Sequence, residues 1–285
     1  MPKDGEIEYL RSLGEAGRQH AANKPFSDAQ CHIFLEDIGA ILALLPPPPG
    51  RLLDLGCGTG WTSNFFARRG YDVVGVDIAA DMIAIANELR DQAGLRNLTF
   101  VESDYETLDF REAFDIAIFF DSLHHAVDAD ATVRRVFDAL KPGGTCVTRE
   151  PGAGHAQMPA SIEAVEKYRV TENDMHPRKV IALAREAGFR DFYVFPLPHE
   201  NRVTAYRLTD AVRVVGDRRG AGIPDPMANA WWLKRLFHRL VRWRFGFRPV
   251  GYAAFLATLP QIHEACERQD WEVLSAVGAL VILVK

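Results

Sequence analysis

Short apolar runs and amphipathic stretches alternate along most of the chain. The runs are rich in Val, Ile, Leu and Phe, whereas the stretches between them carry apolar residues every three or four positions. This alternation predicts an α/β fold, with a parallel, doubly wound sheet that helices cover on both faces. The predicted strands are 51–55, 71–77, 97–103, 114–120, 145–150, 189–195 and 278–285, and the predicted helices are 29–45, 61–69, 81–93, 131–140 and 178–187.

Two regions lack this alternation. Residues 1–28 are polar apart from Phe26 and are predicted to be irregular, and four prolines with Gly50 then end the helix 29–45. Residues 198–276 have helical character with an aromatic and basic centre, which predicts an insertion or cap; a separate helical unit is the alternative. The predicted division is 1–49, an N-terminal helical segment with its connector; 50–197 plus 277–285, the sheet domain; and 198–276, the helical insertion.

Composition and charge narrow the classes of function. The 285 residues are 48% hydrophobic and 25% charged, which is ordinary for a soluble protein. A net charge of −5 gives no support to nucleic-acid binding, and no apolar run approaches the roughly 20 residues that span a bilayer. The N-terminus has no signal-peptide pattern and the four cysteines lie far apart, so we expect a cytoplasmic protein with reduced thiols.

The strongest chemical signal is the segment DLGCGTG at residues 54–60, which lies directly between a predicted strand and a predicted helix. Glycines here permit positive φ angles and let the backbone approach a ligand closely. The spacing departs from the dinucleotide fingerprint, because Trp61 stands where the last glycine is expected. Asp54, two residues before the first glycine, suits a cationic ligand with an amino-acid end better than a pyrophosphate.

A row of acids follows the predicted strands. In open parallel sheets the ligand lies outside the carboxyl ends of the strands, so these acids are expected to face one crevice. Asp77 is placed to accept both hydroxyls of a ribose, and Asp104 is placed for an adenine amino group. The alternative is that such acids are only turn residues and helix caps. The row consists of Asp54, Asp77, Asp104, Asp121 and Glu150.

Five motifs together resemble class I S-adenosylmethionine-dependent methyltransferases. They are LDLGCGTG, VVGVD, ESDYETLDF, FDSLHH and LKPGG, and the likeness extends over about residues 50–195. The resemblance implies a Rossmann-like seven-stranded sheet with an antiparallel last strand, an N-terminal helical lid, and S-adenosyl-L-methionine as cofactor. It also implies the cofactor-binding residues, which are Asp54, Gly56, Cys57, Gly58, Thr59 and Gly60 for the methionine moiety, Asp77 with Ile78 for the ribose, Asp104 with Tyr105 for the adenine, and Asp121 beside them.

A hydroxyl acceptor would benefit from a base that removes its proton. The candidates are His124 and His125, beside Asp121; a purely structural role for both is the alternative. Glu150 and His155 are weaker candidates on the same rim. No metal is expected, because the acids and histidines of this region lack a fixed ligand spacing. That set comprises Asp104, Asp121, His124, Asp128 and Asp130.

The acceptor itself is expected to be a small molecule or a glycan, methylated on a hydroxyl rather than on nitrogen or carbon. The insertion 198–276 is expected to form the acceptor pocket. Its basic, aromatic part, 231–248, would either contact a membrane or a lipid-linked substrate or pack on its own domain. The sequence leaves the oligomeric state open. Two alternatives to methyl transfer remain, a catalytically silent adenosylmethionine-binding protein and an NAD(P)-dependent oxidoreductase of related fold.

Overall fold

A computed structural model describes residues 3–196, 205–207, 213–215 and 279–285. The chain divides into two compact units, residues 1–197 with 270–285, and residues 198–269. The first unit contains seven helices and seven strands among its described residues: α1 (Asp4–Ala22), α2 (Cys31–Leu44), β1 (Arg51–Leu55), α3 (Trp61–Arg69), β2 (Asp72–Asp77), α4 (Ala80–Ala93), β3 (Leu98–Glu102), β4 (Phe114–Phe120), α5 (Ala129–Ala139), β5 (Leu140–Arg149), α6 (Pro159–Tyr168), α7 (Pro177–Ala187), β6 (Asp191–Pro196) and β9 (Ala279–Val284). In the second unit the described strands β7 (Ala205–Arg207) and β8 (Arg213–Val215) form an antiparallel pair.

The strands of the first unit form one sheet in the order β3-β2-β1-β4-β5-β9-β6. β1 to β5 pair in parallel, whereas β9 lies between β5 and β6 and is antiparallel to both. This order confirms the predicted Rossmann-like fold and its antiparallel last strand. Successive strands are added on one side of β1 up to β3 and on its other side from β4 onward, so a ligand crevice is expected outside the carboxyl ends of β1 and β4.

Alternating side chains of the strands enter two separate hydrophobic cores. Leu53 and Val74 pack into the core on one face of the sheet, and their neighbours Leu52 and Val73 pack into the core on the other. The period of two follows from the pleat, and continuous apolar runs are expected because helices cover both faces.

The N-terminal prediction of irregular structure is wrong, because Asp4–Ala22 form α1 with a kink at Gly14. This helix buries few apolar side chains: Leu10 and Ala21 pack against Ile85 of α4. Its apolar face is therefore too narrow to give a clear helical period of apolar residues in this polar segment. α6 is a further helix that the apolar pattern does not predict.

Among the described residues, no helix combines the length and the apolar character needed to cross a bilayer.

Candidate active site

The glycine loop, residues 54–60, connects β1 to α3 and has the backbone that its sequence predicts. Gly56, Gly58 and Gly60 have φ angles of 69°, 53° and 75°, which side chains other than glycine rarely permit. A Cβ on Gly60 would lie 2.3 Å from Cζ of Phe100, and one on Gly56 would lie 2.5 Å from Cβ of Ser122. The bare backbone of the loop therefore packs directly against β3 and against the turn that follows β4.

Asp77, at the end of β2, is bonded to this loop. Its Oδ2 accepts the N–H of Gly58 at 2.8 Å, and its Oδ1 accepts the N–H of Ala79 at 2.9 Å. Burial raises the pKa of Asp77, and the backbone N–H groups oppose the rise. Each oxygen keeps a second lone pair, so the carboxylate can still accept ribose hydroxyls. Ile78, its neighbour in the predicted set, is half-buried.

The side chain of Asp54 makes structural hydrogen bonds that the sequence does not predict. Its side chain is buried, and its Oδ2 accepts the hydroxyls of Thr62 and Ser63, each at 2.6 Å, in the first turn of α3. Burial raises the pKa of Asp54 to about 6, although the two hydroxyl contacts lower it. The predicted contact of Asp54 with a cationic ligand stays a prediction.

The other two loop residues of the predicted set are buried. Thr59 donates its hydroxyl to the carbonyl of Ala21 at 2.7 Å, which joins the glycine loop to the end of α1. Burial raises the pKa of the Cys57 thiol, so Cys57 is a packing residue rather than a reactive thiolate.

The predicted adenine residues lie beside the N-terminus of α1. The ammonium of Lys3 lies 2.6 Å from Oδ1 of Asp104 and 2.6 Å from Oε1 of Glu106. The hydroxyl of Tyr105 donates to the carbonyl of Ser122 at 3.0 Å. The N-terminus of α1 therefore lies against this part of the sheet edge, and its role as a lid stays a prediction.

Asp121, at the end of β4, is paired with Arg149 of β5. Arg149 also donates from Nε to Asp37 at 2.8 Å, and its guanidinium lies over the ring of Phe120. Asp121 therefore faces a partly buried cation that was not among the predicted site residues. The role of Asp121 beside the cofactor stays a prediction.

His124 is held by Glu150, which follows β5. The Nδ1 atom of His124 lies 2.7 Å from Oε2 of Glu150. The same carboxylate accepts the backbone N–H groups of Ser122, Leu123 and His124 itself, at 2.9 to 3.3 Å. A carboxylate only accepts, so Nδ1 carries a proton, and in the neutral imidazole Nε2 keeps a free lone pair. Burial would lower the pKa of His124, but the hydrogen bond and charge of Glu150, together with the charges of Asp121 and Glu172, outweigh it and the pKa is raised.

His125 is held differently. Its Nδ1 donates to the carbonyl of Thr171 at 2.7 Å, and the N–H of Thr171 donates to Oε1 of Glu6 at 2.6 Å. Burial, together with the charge of His124, lowers the pKa of His125 to about 4. Burial also raises the pKa of Glu6 to about 7. The two neighbouring imidazoles, 4.0 Å apart by ring centroids, thus differ in their affinity for a proton.

Glu172 completes this group, which we call the histidine pocket (Glu6, His124, His125, Glu150, His155 and Glu172). Its Oε2 lies 2.6 Å from Nε2 of His155 and 3.7 Å from Nε2 of His124. His124, His125 and Glu172 each offer a donor atom within 4.8 Å of the others, and theirs is the metal-compatible grouping among the described residues. The expectation that no metal is bound stays a prediction. Two acids of the set for which no metal is expected make structural contacts in α5. Asp128 caps the N-terminus of α5, and Asp130 pairs with Arg134.

Residues 52–144 match the family described as "Methyltransferase domain". The chain is 39% identical over 183 residues to a ubiquinone biosynthesis O-methyltransferase of Bradyrhizobium sp. (strain ORS 278), which is 64% of this chain and 65% of that protein. It is 31% identical over 177 residues to the enzyme of the same name from Pseudomonas fluorescens, covering 58% of this chain and 75% of that one.

The chain belongs to the class I S-adenosylmethionine-dependent methyltransferases. S-adenosylmethionine is the cofactor of this family, as the sequence predicted.

Solved structures agree on the fold. Phosphoethanolamine N-methyltransferase 2 of Haemonchus contortus, in complex with S-adenosyl-L-methionine, matches with a TM-score of 0.54 at 20% identity, over 88% of this chain and 52% of that one. The cyclase SpnF matches with a TM-score of 0.51 at 21% identity, over 90% and 80%. At these identities the likeness concerns the fold alone, and the fold by itself does not fix the reaction.

The sequence analysis missed several members of the histidine pocket. Glu6 lies in a segment that was predicted to be irregular, and Glu172 lies in a stretch without regular structure before α7. Glu150 and His155 were considered only as weaker candidates. Their positions in the chain gave no sign that they would meet His124, because each contact depends on how distant segments fold back over the sheet.

The predicted acceptor pocket in 198–276, and the contact surface 231–248, lie outside the residues whose side chains the structure describes.

Proposed function

We propose that this chain transfers a methyl group from S-adenosylmethionine to a hydroxyl group of a small molecule. Family membership supports the donor. The relatives named above support the acceptor, since they are O-methyltransferases of ubiquinone biosynthesis. The chain spans 65% of the Bradyrhizobium enzyme, so the acceptor is carried over as a class, a hydroxyl on a small ring compound, and not as one compound.

The donor fits the residues at the carboxyl ends of β1 to β4. The glycine loop offers close backbone approach, and Asp77 offers two acceptor oxygens beside it. Tyr105 and Asp104 border the same crevice from the end of β3. When bound there, S-adenosylmethionine supplies an activated methyl group, so the protein has chiefly to align the acceptor and remove its proton.

His124 is the base in this proposal. The observation that carries it is the 2.7 Å contact between Nδ1 of His124 and Glu150, which fixes the tautomer with a free Nε2. Ser122, two residues earlier, packs against Gly56, so the turn that carries His124 borders the donor side of the crevice. His125 is a weaker base, because its pKa is lowered to about 4 by burial and by His124.

The pH dependence follows from these assignments. His124 acts only when Nε2 is unprotonated, and its pKa is raised above the ordinary 6.5. Turnover should therefore rise with pH through a value above 6.5, and fall on the acid side as His124 becomes charged.

The test measures methyl transfer from labelled S-adenosylmethionine to a panel that contains phenol, catechol, a primary alcohol and a reducing sugar. We expect methyl ethers from the ring hydroxyls. Calorimetry with S-adenosylhomocysteine and with NAD separates the alternatives. Binding of adenosylhomocysteine without any methylated product would favour the silent binding protein, binding of NAD alone would favour the oxidoreductase, and methylation of the sugar alone would move the acceptor to the glycans.

A further inference from the structure

A buried base must lose its proton before it can act again. The side chain of His124 is 6% exposed and that of Glu150 is 2% exposed. Glu150 already accepts three backbone N–H groups together with Nδ1 of His124. The Nδ1 side of the imidazole is therefore closed, and a proton taken up at Nε2 cannot leave through Glu150.

On the Nε2 side of His124 the neighbouring side chains are increasingly exposed to solvent. Oε2 of Glu172 lies 3.7 Å away, and the exposed fraction rises from 6% at His124 to 10% at Glu172 and 18% at His155. A charged imidazole attracts the carboxylate, and closing the gap to hydrogen-bond distance needs a shift of about 1 Å. The bond from His155 to Glu172, at 2.6 Å, holds the carboxylate on this side of His124.

His125 is the other group near enough to serve, since its ring centroid lies 4.0 Å from that of His124. Its Nδ1 is occupied by the carbonyl of Thr171. Burial and the neighbouring charge of His124 lower the pKa of His125 to about 4. Transfer to His125 would leave a positive charge in this buried site, whereas transfer to the carboxylate of Glu172 leaves two neutral groups there.

We propose that Glu172 removes the proton from His124 after each methyl transfer and releases it to solvent, and that His155 holds Glu172 in position. The inference rests on the proposed role of His124 as base. In the first step the acceptor O–H bond breaks, its proton forms an N–H bond at Nε2 of His124, and the oxygen forms the C–O bond as the sulfonium C–S bond breaks. In the second step the proton leaves Nε2 for Oε2 of Glu172, whose carboxylate is restored when water takes the proton.

The experiment compares the first turnover with steady-state turnover, with S-adenosylmethionine as donor and catechol as acceptor. The variants are Glu172→Gln, which keeps the shape but cannot carry the proton, and His155→Gln, which keeps a donor near Nε2. At an assay pH above the pKa of His124, the first turnover in Glu172→Gln should keep the wild-type rate, because His124 then starts unprotonated. Steady-state kcat should fall by roughly 10-fold or more, so that a burst appears, and added imidazole should restore it. His155→Gln should show a smaller fall of the same kind.

Three results would overturn the inference. The first is an unchanged steady-state kcat in Glu172→Gln. The second is a first turnover slowed as much as the steady state, which would give Glu172 a structural role or a role in the chemistry. The third is loss of activity on dialysis against EDTA with recovery on adding a divalent cation, which would make Glu172 a ligand beside His124 and His125.

A His124→Asn variant separates this inference from the proposed function. If His124→Asn keeps the wild-type rate of the first turnover, His124 is not the base, and the proposed role of Glu172 as proton acceptor is excluded as well. If it loses the first turnover while Glu172→Gln behaves like the wild type, only the proton route fails.

Discussion

The glycine loop and the histidine pocket lie on the same edge of the sheet but are built in different ways. The glycine loop is a contiguous segment, and its backbone angles follow from three glycines and one bond to Asp77. The histidine pocket is assembled from side chains on α1, the turn after β4, the end of β5 and residues 155–172. The conformation of the glycine loop is therefore encoded locally, whereas the arrangement of the histidine pocket depends on contacts between distant segments.

The two regions are therefore expected to respond differently to mutation. A larger side chain in the glycine loop creates steric overlap and is expected to lower the free energy of unfolding. A change in the histidine pocket alters protonation while the sheet beneath is retained. The following predictions use that contrast, beginning with the largest effect.

Gly60→Ala should destabilise the protein strongly. The new Cβ would lie 2.3 Å from the Phe100 ring at a φ of 75°. Overpacking and the left-handed backbone together should cost about 2–4 kcal/mol. Gly94→Ala is the matched control, because Gly94 has a φ of 65° but nothing within 4 Å of a Cβ, so backbone strain of about 1 kcal/mol remains. Urea unfolding measures both, and equal losses would show that the contact with Phe100 does not matter.

Glu6→Gln should change how the docking of α1 depends on pH. The pKa of Glu6 is raised from 4.5 to about 7, mainly by burial. The folded state therefore binds the proton more tightly than the unfolded state, and the contribution of Glu6 to stability is lost as pH rises from about 4.5 to 7. Gln keeps an oxygen for the N–H of Thr171 and cannot ionise. Protection of the α1 amides from hydrogen exchange should fall between pH 5 and pH 8 (roughly its titration range) in the wild type, and less in the variant. The same fall in both proteins would assign it to another group.

The fold could be predicted from the sequence because its signals are local. Apolar runs marked the strands, and Gly70, Gly94 and Gly188 end their helices in the left-handed conformation as their positions suggested. α1 escaped prediction because only a few apolar side chains, such as Leu10, hold it to the sheet unit.

The candidate site could be predicted only in part. Strand ends identified Asp77 and the turn with His124, because parallel strands end at one edge. Two other members of the histidine pocket, Glu6 and Glu172, lie far away in sequence from His124 and in segments without periodic pattern. For Asp54 the sequence indicates a site residue, but it does not predict the hydrogen bonds of this side chain to the first turn of α3.

The most direct measurement of the central claim compares His124→Asn with His125→Asn. Asn can keep the donor near Nδ1, so each variant can retain its bond to Glu150 or to the Thr171 carbonyl while losing Nε2. With catechol as acceptor, kcat should fall by roughly 100-fold or more in His124→Asn and by far less in His125→Asn. Calorimetry should show unchanged affinity for S-adenosylhomocysteine in both. Full turnover in His124→Asn, or equal losses in the two variants, would contradict the assignment of His124 as the base.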